Sequence, residues 1–157
     1  MAYRYFLKID GIPGDSTDAS HEGEIEVLTW TWGEDMPPPE PSGGGTKVRL
    51  HDLSFTARLS GASLNLQLAC ATGRRLSSAV LAGSRDGKVQ AAFLRILLTD
   101  VVISSYRILG EAGADAPSES VALTGSRVEV EYRELRPDGK LADPITAGWD
   151  SKLNRQV

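Results

Sequence analysis

The chain reads as mainly β: an antiparallel β-barrel of two packed sheets, with one flanking α-helix and a long extended loop. Three observations carry that expectation. Short runs rich in β-branched and aromatic residues recur along the sequence, most of them closed by glycine, proline or small polar residues. A single segment has helical spacing, with serines before it and a glycine after it. A third stretch, 34–45, gathers prolines and glycines that neither a ladder nor a helix accommodates. At 157 residues and with no internal repeat, the chain is expected to form one domain spanning 1–157.

The elements follow in order. Residues 3–10 alternate loosely and stop at the turn cluster Gly11-Ile12-Pro13-Gly14. A second strand is expected over 24–32. Its buried face changes partway: Ile25 and Val27 point one way, Leu28, Trp30 and Trp32 the other. Glu34, Asp35, Met36, Pro37, Pro38, Pro39, Glu40, Pro41, Ser42 and Gly43-Gly44-Gly45 then form the exposed loop. Only about thirty residues precede it, too few for a separate core, so it is a loop within the domain and not a linker. Strand resumes over 46–58, again switching face between Val48, Leu50 and Leu53, Phe55. Ser60 or Ser63 is the expected cap of a short helix, with Leu64 and Leu68 on one face and Gly73 at its left-handed end. Residues 74–83 read as an irregular turn or two. Residues 90–110 form a strand pair or one bent strand, apolar on both faces in its middle and so expected to be covered on both sides. After an acidic loop, 120–136 places Val128, Val130 and Tyr132 on an apolar face and Arg127, Glu129, Glu131 and Arg133 on a wet one. Pro137-Asp138-Gly139-Lys140 is a turn, leaving a tail that contains Gly148-Trp149-Asp150. The total is about five to eight strands and one helix.

Composition narrows the function. A hydrophobic fraction of 41% with 24% charged residues suits a globular chain and excludes wholesale disorder. The net charge of −4 argues against a nucleic-acid binder, which needs a basic stripe. Trp30 and Trp32 are flanked by Glu24, Glu26, Glu34 and Asp35, which would repel a phosphate backbone, so they read as core or interface residues. The first ten residues carry Lys8 and Asp10 before any apolar run can form, so no cleaved signal peptide is expected. No stretch is long and apolar enough to insert in a membrane as a helix.

Chemistry finds little to work with. There is no glycine-rich phosphate loop, no Gly-x-Ser-x-Gly elbow and no His-Glu-x-x-His. Glu129 and Glu131, flanked by Arg127 and Arg133, make a charge ladder and not a glycosidase pair. His51 and Asp52 project to opposite strand faces. Cys70, inside an apolar run, reads as a buried small hydrophobe. Neither a cofactor nor a structural zinc site is expected. What remains is surface. The strands carry more apolar area than one small barrel with one helix can cover, and burial against copies of the same chain is the direct solution.

These residues resemble the Hcp tube proteins of bacterial type VI secretion systems. The resemblance rests on Phe6-Leu7-Lys8-Ile9-Asp10-Gly11-Ile12-Pro13-Gly14-Asp15-Ser16, His21-Glu22-Gly23-Glu24-Ile25-Glu26-Val27-Leu28 and Trp30-Thr31-Trp32-Gly33. It continues through Leu68-Ala69-Cys70-Ala71-Thr72-Gly73, the run from Leu98 to Tyr106, Val128-Glu129-Val130-Glu131-Tyr132 and Gly148-Trp149-Asp150, in the family's order. It implies a non-enzymatic subunit that closes into homohexameric rings, which stack into a tube. A contractile sheath expels that tube with a VgrG-like spike protein, and effector proteins ride in the lumen. It also implies synthesis in the cytoplasm and export without a signal peptide. In this reading Glu34, Asp35, Met36, Pro37, Pro38, Pro39, Glu40 and Pro41 form the ring-stacking loop, although the loop departs from the family in its proline and glycine content. Arg127, Glu129, Glu131 and Arg133 are candidate lumen-facing residues, because a water-filled channel needs a polar wall. No fused toxin domain is expected, since Val157 follows Gly148-Trp149-Asp150 so soon. The alternative reading is a tail-tube subunit of another phage-like contractile injection particle.

Overall fold

The structure is a computed structural model and describes residues 2–85 and 91–157. Its elements run β1 (Tyr3–Ile9), β2 (Ile25–Val27), β3 (Thr29–Thr31), β4 (Glu34–Asp35), β5 (Arg49–Leu50), β6 (Leu53–Arg58), α1 (Ser63–Thr72), β7 (Leu76–Arg85), β8 (Leu94–Leu109), β9 (Ser118–Tyr132), β10 (Ile145–Asp150) and β11 (Arg155–Gln156). The main sheet has the order β11-β10-β9-β8-β7-β1-β2, with β6 joined to β9 and β3 to β6, all antiparallel. The expected mainly β class holds. The order ends in β11 on one side and β2 on the other, so the barrel stays open.

One strand pair serves both sheets by changing face at a corner. Along β8, Ile96 and Leu98 are buried, then Val101 and Ile103; along β9, Val121 and Leu123 are buried, then Val128. An odd step separates the members of each switch, so both strands rotate their buried side at Asp100 and Ser126. Asp100 takes a left-handed backbone (φ 53) there. Ser126 Oγ donates to Thr99 O at 3.3 Å, Ser151 N and Oγ both donate to Ser126 O (2.8 and 2.7 Å), and Lys152 pairs with Asp100 at 3.3 Å. A second irregularity follows between Ile103 and Ser105. Apolar residues on both faces of this segment therefore mark a face switch, and the expected two-sided burial is corrected accordingly. It is one bent strand; the anticipated start at Gln90 lies outside the described residues.

The other switches have the same origin. The anticipated strand over 24–32 breaks at exposed Leu28: β2 pairs with β1 and β3 with β6, so Ile25 and Val27 serve one sheet and Trp30 the other. The strand expected over 46–58 is likewise two pieces, β5 and β6. Where an irregular turn was expected over 74–83, the ten-residue β7 lies between β1 and β8. The core gathers Leu7, Ile25, Leu53, Phe55, Leu66, Leu81, Val101, Val121 and Leu123, each at most a few per cent exposed and each contributing about 1.5–3 kcal/mol.

Helix α1 keeps Leu64 and Leu68 on one face, and that face is the exposed one. Its sequence offers two stripes at equal spacing, 62–66–69 and 64–68–71. The first, with alanines at both ends, lets the backbone approach β8 closely and is buried; Leu64 and Leu68 turn outward, 71% and 62% exposed. The expected serine cap also fails. Ala62 holds the cap position without a side-chain bond. Ser60 and Ser63 bond to each other's turn instead, with Ser60 N donating to Ser63 Oγ (2.9 Å) and Ala62 N to Ser60 Oγ (3.2 Å). Gly73 does close the helix in the left-handed conformation (φ 65). Cys70 is half-buried and packs on the core.

Candidate functional site

The loop begins one step later than anticipated. Glu34 and Asp35 form β4 and pair with Leu50 and Arg49 of β5. Gly33 O accepts from His51 N (2.9 Å), and His51 Nε2 meets Asp35 Oδ2 at 2.7 Å. This ribbon is the base of the loop, with Leu50 packed against the core. Beyond it Met36 is 63% exposed, Pro37 half-buried, and Pro38, Pro39, Glu40 and Pro41 exposed. A turn follows in which Gly43 (φ 79) donates to Glu40 O at 3.0 Å.

Arg127, Glu129 and Glu131 do share one face of β9, opposite buried Val128 and half-buried Val130. Arg127 Nη2 donates to Glu129 Oε1 at 3.2 Å, and Arg95 lies directly across from Glu131. Glu129, Glu131 and Arg95, with Leu97, Thr146 and Val157, line an open cleft of about 330 Å³ that Arg127 does not reach. Arg133 does not join them. It sits one residue past the strand, and its Nε donates to Ala142 O at 2.8 Å.

Sequence reasoning missed three features. The first is a second polar face. Strands β3, β6, the first half of β9 and the second half of β8 form a four-stranded sheet. Its outer side carries Thr29, Thr31, Ser54, Thr56 and Ser120. Thr29 and Thr56 hydroxyls meet at 2.6 Å, and Asp52 accepts from both Ser104 and Thr124 at 2.7 Å. The second is that this sheet is open at both ends. β3 pairs only with β6, and past Val101 β8 pairs only with β9, leaving Ile108 (57% exposed) and Leu109 on a free edge. The third is Glu119, fully buried under helix α1's side of the core. Tyr106 Oη donates to its Oε2 at 2.9 Å, while Oε1 has no partner among the described residues. Burial, then the hydrogen bond to Glu119 and its charge, push the Tyr106 phenol up to about 12. The pattern Glu119, Val121, Leu123 held that signal, since a carboxylate in step with buried residues faces inward.

The family model for the type VI secretion system effector Hcp matches residues 6–132. The chain belongs to the Hcp family. Protein hcp1 of Pseudomonas aeruginosa is 36% identical, with all of both chains covered. Hcp1 from Salmonella typhimurium superposes with a TM-score of 0.86 at 35% identity, again over all of both chains. A solved structure described as a type six secretion system protein gives 0.92 at 28% identity, over 99% of this chain and 100% of its own. Hcp proteins are secreted components of that system, a structural family without an enzymatic role. No helix of the described residues is long and apolar enough to cross a membrane.

Proposed function

We propose that this Hcp chain assembles into six-membered rings that stack as the inner tube of a type VI secretion apparatus. A contractile sheath drives that tube outward with a VgrG-like spike, and effector proteins travel in its lumen. The observation that carries this reading is the four-stranded sheet with two free edges. An exposed edge that presents unpaired backbone groups beside Ile108 and Leu109 calls for another strand. Joining β8 of one copy to β3 of the next is a heterologous contact, and repeated contacts of that type close into a ring. The loop 36–45, carried on the β4–β5 ribbon, is the segment that reaches the adjacent ring.

Two polar faces compete for the channel wall. The strip Arg127, Glu129 and Glu131, with Arg133 beside it, is one. The hydroxyl face of Thr29, Thr31, Ser54, Thr56 and Ser120 is the other, and it is favoured because it belongs to the sheet whose edges would make the ring. Native mass spectrometry of the purified chain tests the assembly: a hexamer is expected, and a monomer at every concentration refutes it. Thr31→Arg and Glu129→Arg separate the walls, since only the substitution inside the channel should block effector retention while rings persist.

A further inference from the structure

A cleft at one end of the main sheet sets aromatic rings beside two arginines. There β1 and β8 begin and β9 ends, with Tyr3 paired to Arg85 and Leu94 to Tyr132. Tyr3 and Phe93 pack at 5.1 Å, tilted by 54°. With Tyr132, Leu141, Arg85 and Arg133 they line a cleft of about 90 Å³ whose lining holds no carboxylate among the described residues. Tyr3 and Tyr132 stand exposed, and the Nε of Arg85 is shut from water without an acceptor among the described residues. Aromatic ledges of this kind take proline-rich segments, because a preformed extended chain loses little entropy on docking.

The chain carries such a segment. Met36-Pro37-Pro38-Pro39-Glu40-Pro41 has its backbone preset by four prolines. It brings Glu40, follows Glu34 and Asp35, and has no cation from 34 to 46, opposite in sign to Arg85 and Arg133. On its own body the segment is exposed apart from half-buried Pro37. We propose that the Tyr3–Phe93–Tyr132 cleft receives a proline ring from residues 36–41 of another copy, with Arg85 and Arg133 facing Glu40. This inference rests on the self-assembly reading and adds the receptor for the loop.

The test uses two full-length variants in a Cys70→Ala background, Pro39→Cys and Leu135→Cys, mixed and treated with a short bis-maleimide. Cross-linked pairs of the two variants are expected. They should be lost with Arg85→Glu and Arg133→Glu, and lost also when excess free peptide of sequence 34–42 competes, an arm that leaves both arginines in place. Rings and stacks that form without the cross-link overturn this inference alone, leaving the cleft to a segment of a different protein or to none. A chain that never leaves the monomer overturns it together with the assembly reading.

Discussion

Glu119 is the residue on which the region beneath helix α1 turns. It lies fully buried with one oxygen served by Tyr106 and the other by nothing among the described residues. Removing the single donor leaves a carboxylate that water cannot reach, so Tyr106→Phe should lower stability by about 1–3 kcal/mol in urea unfolding. Glu119→Gln keeps an acceptor and removes the charge, and should be tolerated better; the reverse ranking would contradict this account. The same pair sets an alkaline limit. The fold holds the Tyr106 proton to about pH 12, whereas an unfolded chain releases it near pH 10. The extra stability is therefore complete below pH 10 and drains between 10 and 12, a loss that Tyr106→Phe should not show. Gly14 makes a different demand. A Cβ there would lie 2.4 Å from Glu24 O and 2.7 Å from Ile25 N, both backbone atoms that cannot swing away. Gly14→Ala should cost about 2 kcal/mol or more by displacing the loop that places His21 flat on Phe6, 4.3 Å between rings.

At the scale of elements, the free edge of β8 makes the sharpest claim. Ile108→Lys adds charge to an exposed edge, the usual way a strand avoids pairing. It should leave monomer stability within about 0.5 kcal/mol and abolish the hexamer in native mass spectrometry; rings that survive it would exclude this edge as the joint. Legibility in the sequence also varied by element. The clean alternation of 127–132 fixed the end of β9, and Gly73 fixed the helix end, because local sterics decide both. Strand β7 was unreadable. Leu76-Ser77-Ser78-Ala79-Val80-Leu81-Ala82-Gly83-Ser84 is rich in small residues of weak strand preference, and it is extended because β1 and β8 pair on both sides. Helix α1 held two equivalent stripes, and only packing against β8 chose between them. The face switches were visible, but their cause, a change of sheet partner at Leu28 and at Asp100, is a long-range fact. For the candidate site, the loop's place was legible from proline and glycine alone. The free edges were not, since pairing partners are absent from any local pattern.

For the molecule as a whole, the proposed assembly rests on an open sheet and a loop carried on a two-stranded ribbon. Deleting residues 43–45 shortens the loop without touching β4 or β5, so tubes should be lost while single rings persist; unchanged tubes would remove the loop from stacking. The most direct test of the account is negative-stain microscopy of the purified chain over a range of concentrations. Annular particles of six subunits with an open centre are the expected result, whereas a uniform field of isolated globules at every concentration would contradict it.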